Sequence, residues 1–204
     1  MAVAGEAKGE RRVRSHRATR AAILDAARRV ATRNGARNLS LRATAAEAGF
    51  APAALYGYFR NKDELLLALA SDDLSAIARA MRVAIEQPDA ISPFAAASSA
   101  ALALLQQTET IAAAAAALRH CAGKSESERI FNGRLISALN ALSRATGQIP
   151  QSRAAQVDVV LLAAALTGLA VFARSGRLSA LGFGTDELVR RLDAKYSESA
   201  KKQS

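Results

Sequence analysis

The sequence has a single cysteine, Cys121, two histidines, His16 and His120, no tryptophan, and only 4% aromatic residues over its 204 positions. One cysteine excludes an intrachain disulfide framework and any multi-cysteine zinc site, and it fits a reducing cytoplasm. His120 beside Cys121 has no further ligands at metal spacing, and His16 is remote, so no metal is expected. There is no glycine-rich phosphate loop after a strand, no carboxylate cluster and no nucleophile elbow. An enzyme is therefore not expected, nor a cofactor. The first twenty residues carry basic side chains without a following apolar stretch, so a signal peptide is not expected. The longest apolar run, Val159 to Ala173, is interrupted by Thr167 and falls short of the roughly 20 residues of a bilayer span. It reads as a buried helix, and no membrane partner is expected.

Half of the residues are hydrophobic, largely alanine and leucine, while glycine and proline number 12 and 4. That supplies a core and predicts an all-α chain. The charge is uneven. Residues 1–62 hold 13 of the 28 basic residues but 4 of the 18 acidic ones, a net of +9 within a total of +10. A positive field concentrated in one third of the chain suits a polyanion, because each phosphate neutralised releases condensed counterions.

Punctuation divides the chain into about nine helices. Residues 1–18 lack periodicity and read as a flexible basic arm. Thr19 can cap a first helix bearing Ile23, Ala26, Ala27 and Val30, which Asn34-Gly35 ends. Ser40 caps a second helix and Gly49 stops it; Pro52 suits the first turn of a third, running to about Tyr58. Asn61 caps a long fourth helix carrying Leu65, Leu66, Leu69, Leu74, Ile77 and Met81. Helices over about 93–106, 109–121, 126–145, 151–174 and 186–196 follow. Their breaks fall at Pro88 and Pro93, at Gly123-Lys124-Ser125, and at Gly147 to Ser152 around Pro150. The tail Lys201 to Ser204 is expected to fray.

The segment 40–59 reads as a helix-turn-helix. Ala45 is small where two helices would cross, Gly49 makes the turn, and Phe50 is expected to plug the core. Leu55 and Phe59, at i and i+4, would bury the inner face of the third helix. Pro52, Ala53 and Tyr56 then face outward, on a short helix able to enter a major groove.

With Ala48-Gly49, Leu55-Tyr56, Tyr58-Phe59, Lys62 and Leu65-Leu66 in order, preceded by Ile23 to Ala27 and Asn34-Gly35, residues 19–67 resemble the TetR family of transcriptional regulators. The resemblance implies a DNA-binding domain over 19–67 and a helical ligand-binding and dimerisation domain over 68–204. It also implies a cytoplasmic homodimer that represses transcription from a palindromic double-stranded DNA operator until a small, apolar ligand releases it. The chain departs from the family at Thr44, where a bulky aliphatic residue is usual, at Ala31, often phenylalanine, at Ala51, commonly a capping serine, and at Ala53-Ala54. By the same resemblance DNA contacts fall on Ser40, Arg42, Ala51, Pro52, Ala53, Ala54, Tyr56, Tyr58 and Lys62. Arg42 is placed to reach a base edge, and Tyr56, Tyr58 and Lys62 are placed for phosphates. The arm residues Arg11, Arg12, Arg14 and Arg17 would follow the minor groove.

Further along, Phe94, Leu105, Gln106, His120 and Phe131 are the candidates for a ligand cavity. Leu161, Ala164, Ala165, Gly168 and Phe172 share a helix side suited to a partner subunit. Two other readings are open: a DNA-coating protein without sequence preference, favoured by the apolar third helix, and a helical small-molecule binder that does not regulate DNA.

Overall fold

The computed structural model describes residues 2–87, 92–118, 125–147 and 152–202. Among these there are ten α-helices and no strand, so the chain is all-α. They are α1 Ala2–Asn34, α2 Leu41–Ala48, α3 Pro52–Leu55, α4 Lys62–Ile85, α5 Pro93–Leu105, α6 Thr110–Ala117, α7 Glu126–Ala145, α8 Arg153–Arg174, α9 Arg177–Ala180 and α10 Thr185–Lys202. A 3-10 turn, Ala36–Asn38, lies between α1 and α2. The breaks expected at Pro88, Gly123-Lys124 and Pro150 lie outside the described residues, as do His120, Cys121, Gln203 and Ser204.

The first helix begins well before the Thr19 start that its sequence predicts. The expected flexible arm is helical from Ala2 and continuous with the rest of α1. Thr19, expected as its cap, sits mid-helix and donates its hydroxyl to the Ser15 carbonyl at 3.0 Å. Alanine, glutamate, lysine and arginine are strong helix formers and no proline interrupts them. Gly5 and Gly9 each cost about 1 kcal/mol and do not break the run. Gly35 ends α1 at φ 80° and ψ 145°, positive in φ as expected but extended in ψ. At the other end of the chain, Lys201 and Lys202 are helical where fraying is expected. The short α9 has no counterpart in the sequence reading.

The helices fall into two compact units, Met1–Ala70 with Thr110–Arg129, and Ser71–Glu109 with Ile130–Ser204. The expected single boundary after residue 67 misses the return of 110–129, where Ala113 of α6 packs on the core of the first unit. That core joins Ile23, Leu24, Ala27 and Val30 of α1 to Leu39, Leu41, Ala45, Leu55, Phe59, Leu65, Leu66 and Leu69. Phe50, expected within it, is 36% exposed, because Leu39, Leu55 and Phe59 already fill the space and are buried. Thr44 is fully buried in place of a larger aliphatic residue, and its hydroxyl donates to the Ser40 carbonyl at 2.9 Å. A buried hydroxyl satisfied in this way carries little penalty.

In the second unit α5 packs against α8 and α10, with Phe94, Ala97, Ala101 and Leu102 buried. From α4 come Leu74, Ile77, Ala78 and Met81, and from α7 Phe131, Ala138, Ala141 and Leu142. The apolar α8, expected to be buried, buries only the stripe Val159, Leu162, Leu166 and Ala170. Val157, Val160, Leu161, Val171 and Phe172 are exposed on its other sides. A polar strut closes this unit. The Thr108 hydroxyl donates to Asp73 of α4 at 2.8 Å, and Arg174 at the end of α8 donates to the Thr108 carbonyl at 2.7 Å. Arg174 also pairs with Glu109 at 3.5 Å.

Two features of the first unit give measurable expectations. Arg29 and Arg33, one turn apart on α1, both bind the Glu47 carboxylate of α2, the former at 2.7 Å. The hydrogen bonds from Arg29 and then Arg33 hold that carboxyl below its ordinary value of 4.5. A lowered pKa in the folded state stabilises above the unfolded value, and the stabilisation is lost as pH falls through the folded value. Glu47→Gln should therefore lower the thermal midpoint at pH 7, and the gap to wild type should close as the pH is taken below about 4.5. Gly49 closes α2 in the left-handed region at φ 73° and ψ 24°. There is open space for a Cβ there, so Gly49→Ala should destabilise by backbone strain alone, by about 1–2 kcal/mol in chemical denaturation.

Candidate nucleic-acid interface

The surface begins with how α2 and α3 are punctuated. The Ser40 hydroxyl accepts the Ala43 N–H at 3.1 Å, capping α2 as expected. At the other end the left-handed Gly49 lets Phe50 N–H reach the Ala45 carbonyl at 2.9 Å. Pro52 then opens α3 behind Ala51, whose side chain supplies no cap. The helix is a single turn, shorter than its sequence predicts, and its chain continues through bonds from Tyr58 and Phe59 N–H to the Leu55 carbonyl, both 2.9 Å. The Asn61 side chain caps α4 by accepting the Glu64 N–H at 2.9 Å, and Glu64 in turn accepts the Arg60 N–H at 2.8 Å. With Leu55 and Phe59 held inward, Ala51, Pro52, Ala53 and Ala54 are all exposed.

The residues predicted to meet DNA divide into three groups. Arg42 is exposed and forms no ion pair among the described residues, and Tyr56 is 61% exposed. Ala51 to Ala54 are exposed but carry no polar side-chain atom, so they offer only methyl and methylene surface. The remaining three already serve the fold. Ser40 is a cap, Tyr58 stacks on His16 with ring centroids 4.6 Å apart, and Lys62 donates its Nζ to the Arg37 carbonyl.

Sequence reasoning missed the part of α1 that borders this surface. His16 lies on Tyr58, and one turn later the Arg20 guanidinium sits 5.1 Å from the Phe59 ring centroid, a cation–π contact. Helical spacing places Arg12 on the same stripe, one turn before His16. The signal was present in the i, i+4 spacing of Arg12, His16 and Arg20, but it is hidden once residues 1–18 are read as an arm. Arg11, Arg12, Arg14 and Arg17 are all exposed. They project from a helix about 10–12 Å wide, so their backbone does not thread a minor groove of about 6 Å as a flexible arm would.

The other predicted sites lie in the second unit. Phe94 is buried and lines a cavity of about 240 Å³ with Asp158, Val159, Leu162, Asp193 and Tyr196 among its walls. Leu105, Gln106 and Phe131 do not line it, and His120 lies outside the described residues. On α8, Leu161 and Phe172 are 55% and 51% exposed, Ala164 is exposed, and Ala165 and Gly168 are half-buried.

Residues 23–69 match the family model described as bacterial regulatory proteins, tetR family. Solved structures share the fold over most of the chain. A protein of unknown function from Rhodococcus sp. RHA1 is 24% identical with a TM-score of 0.69, covering 89% of this chain and 94% of that one. The fatty acid degradation regulator FadR from Bacillus subtilis, solved with stearoyl-CoA, is 19% identical with a TM-score of 0.58, over 86% and 96%. The TetR family transcriptional regulator PfmR from Thermus thermophilus is 17% identical with a TM-score of 0.59, over 85% and 92%. No curated protein matches the sequence. The family match thus falls on the segment that holds the helix-turn-helix of α2 and α3, and the chain shares its fold with solved transcriptional regulators.

Proposed function

We propose that the protein is a cytoplasmic, homodimeric repressor that occupies a near-palindromic operator and leaves it when a small ligand binds the second unit. The observation that carries this reading is the bare, exposed N-terminus of α3, together with an exposed Arg42 that forms no ion pair among the described residues, in the part of the chain that holds nearly all the excess positive charge. A four-residue helix reads too few bases to be selective alone, so two copies on successive major grooves are needed. The exposed apolar side of α8 supplies a surface for that pairing.

Sequence is read sparingly in this scheme. Ala51 to Ala54 offer only apolar surface, suited to thymine methyl groups, so hydrogen-bond discrimination falls to Arg42, whose fork can donate to O6 and N7 of one guanine. Tyr56 and the α1 arginines contact phosphates, and shape carries the rest. Lys62 and Tyr58 act at one remove, holding the Arg37 turn and α1 beside the interface. Release follows from the continuity of α4, whose residues 62–70 belong to the first unit while Leu74, Ile77 and Met81 belong to the second unit's core. The Asp73–Thr108–Arg174 strut ties that helix to the end of α8. A ligand can shift the two heads only by its difference in affinity between two arrangements, typically about 1–3 kcal/mol. The stearoyl-CoA held by the Bacillus subtilis neighbour is a precedent for a small ligand in this fold.

Three outcomes test the reading. A footprint on the protein's own upstream DNA should show two protected half-sites about one helical turn apart, cleared by an active cell extract; a single or absent footprint contradicts it. Arg42→Ala should cost about 1–3 kcal/mol on the operator and relax preference at one guanine per half-site in a base-substitution series. Equal losses on operator and random duplexes would make Arg42 a phosphate contact instead. In sedimentation, Leu161→Glu and Gly168→Leu should each shift a dimer towards monomer. A Cβ at Gly168 meets nothing within 4 Å in its own chain, so the second variant introduces no clash at that atom within one subunit.

A further inference from the structure

The cavity at Phe94 has a chemistry that the sequence reading did not foresee. Its walls come from the start of α5, the end of α7, the first turns of α8 and the middle of α10. Val159 and Leu162 make one side apolar, and the Phe94 and Tyr196 rings stack with centroids 6.3 Å apart and planes at 30°. Two carboxylates, Asp158 and Asp193, line the same space, and neither is paired with a lysine or arginine among the described residues. Burial, and then the charge of Asp158, push the Tyr196 phenol above its ordinary value of 10.0, so it remains a neutral donor.

Two half-buried carboxylates beside apolar walls offer acceptors that no basic side chain meets among the described residues. A divalent metal ion would want several oxygen ligands around it, and one half of this space is aliphatic and aromatic. No group of three or more metal-ligating side chains occurs among the described residues. An organic cation satisfies both halves at once. Its head meets the carboxylates with charge-assisted hydrogen bonds, and its alkyl body packs on the apolar wall of Phe94, Tyr196, Val159 and Leu162. The cavity is below the roughly 300–1,000 Å³ of drug-sized sites, so the guest is small. We propose that this cavity binds a small alkylammonium ion, with its charged head between Asp158 and Asp193 and its apolar body against Phe94 and Tyr196. The site names a ligand class for the response proposed above and rests on that reading only for its effect on DNA.

Calorimetric titration of the full chain with butylammonium chloride, and in parallel with butan-1-ol and magnesium chloride, tests it. The site requires saturable binding of one butylammonium per chain, with butan-1-ol at least about tenfold weaker and magnesium unable to compete. Asp158→Asn and Asp193→Asn should each weaken butylammonium by at least about tenfold while leaving the thermal midpoint in place, since each removes one of two like charges. Absence of saturable binding, equal binding of the alcohol, displacement by magnesium, or full affinity in both variants would overturn the proposal. The comparison of cation with alcohol uses the wild-type protein, so it stands even if a variant fails to fold. DNA release is read separately: an ion that binds as described but leaves the operator occupied supports this site and counts against ligand release through it.

Discussion

Leu55 and Phe59 lie one helical turn apart, both buried, beneath an Ala45 small enough to let α2 cross close above them. The whole exposed side of α3 depends on that packing. If either side chain were free to turn, Pro52, Ala53 and Tyr56 would not share an outward face, and the short helix could not hold itself, since one turn has almost no stability of its own. Gly49 provides the left-handed step that brings α3 over α2, and Arg20 covers Phe59 from α1. Truncating a buried aromatic residue of this kind typically removes about 3–5 kcal/mol, a large share of a small domain's stability.

The same packing explains why several residues that look like DNA ligands have structural duties. Ser40, Tyr58 and Lys62 each satisfy a neighbour within the first unit, a backbone N–H, a histidine ring and a carbonyl respectively. A residue that positions the frame can still approach a phosphate, but its removal perturbs geometry as well as charge. Arg42 has no such second duty among the described residues. That difference makes it the cleaner probe of base reading, and the proposed interface is expected to combine general affinity with narrow selectivity. An apolar recognition helix and a basic first third are compatible with both a coating protein and a selective regulator. What separates them is whether the excess free energy on one sequence survives when salt weakens phosphate contacts.

Much of the first unit was legible because local rules and tertiary packing agree there. Ser40, Gly49, Pro52 and Asn61 punctuate by backbone chemistry that acts within three or four residues, and each does so as its sequence predicts. The failures have a common cause in competition. Residues 2–18 show no apolar periodicity, yet their helix propensity suffices once they continue a helix anchored by Ile23 to Val30. Phe50 has the size for the core, but Leu39, Leu55 and Phe59 occupy it and leave Phe50 36% exposed. The return of 110–129 to the first unit, and the meeting of Asp158, Asp193, Phe94 and Tyr196, are long-range results of topology that no local pattern carries. Leu105, Gln106 and Phe131, candidates for a ligand cavity by sequence, do not line the Phe94 cavity, which forms only where α5, α7, α8 and α10 meet.

The most direct measurement is the ratio of affinities for the protein's own upstream DNA and a scrambled duplex of equal length, taken by fluorescence anisotropy at several salt concentrations. A sequence-reading dimer predicts that both affinities fall steeply with salt while their ratio stays at about a thousandfold or more. A ratio near one across the series would contradict selective recognition and leave a protein that coats DNA through its charge.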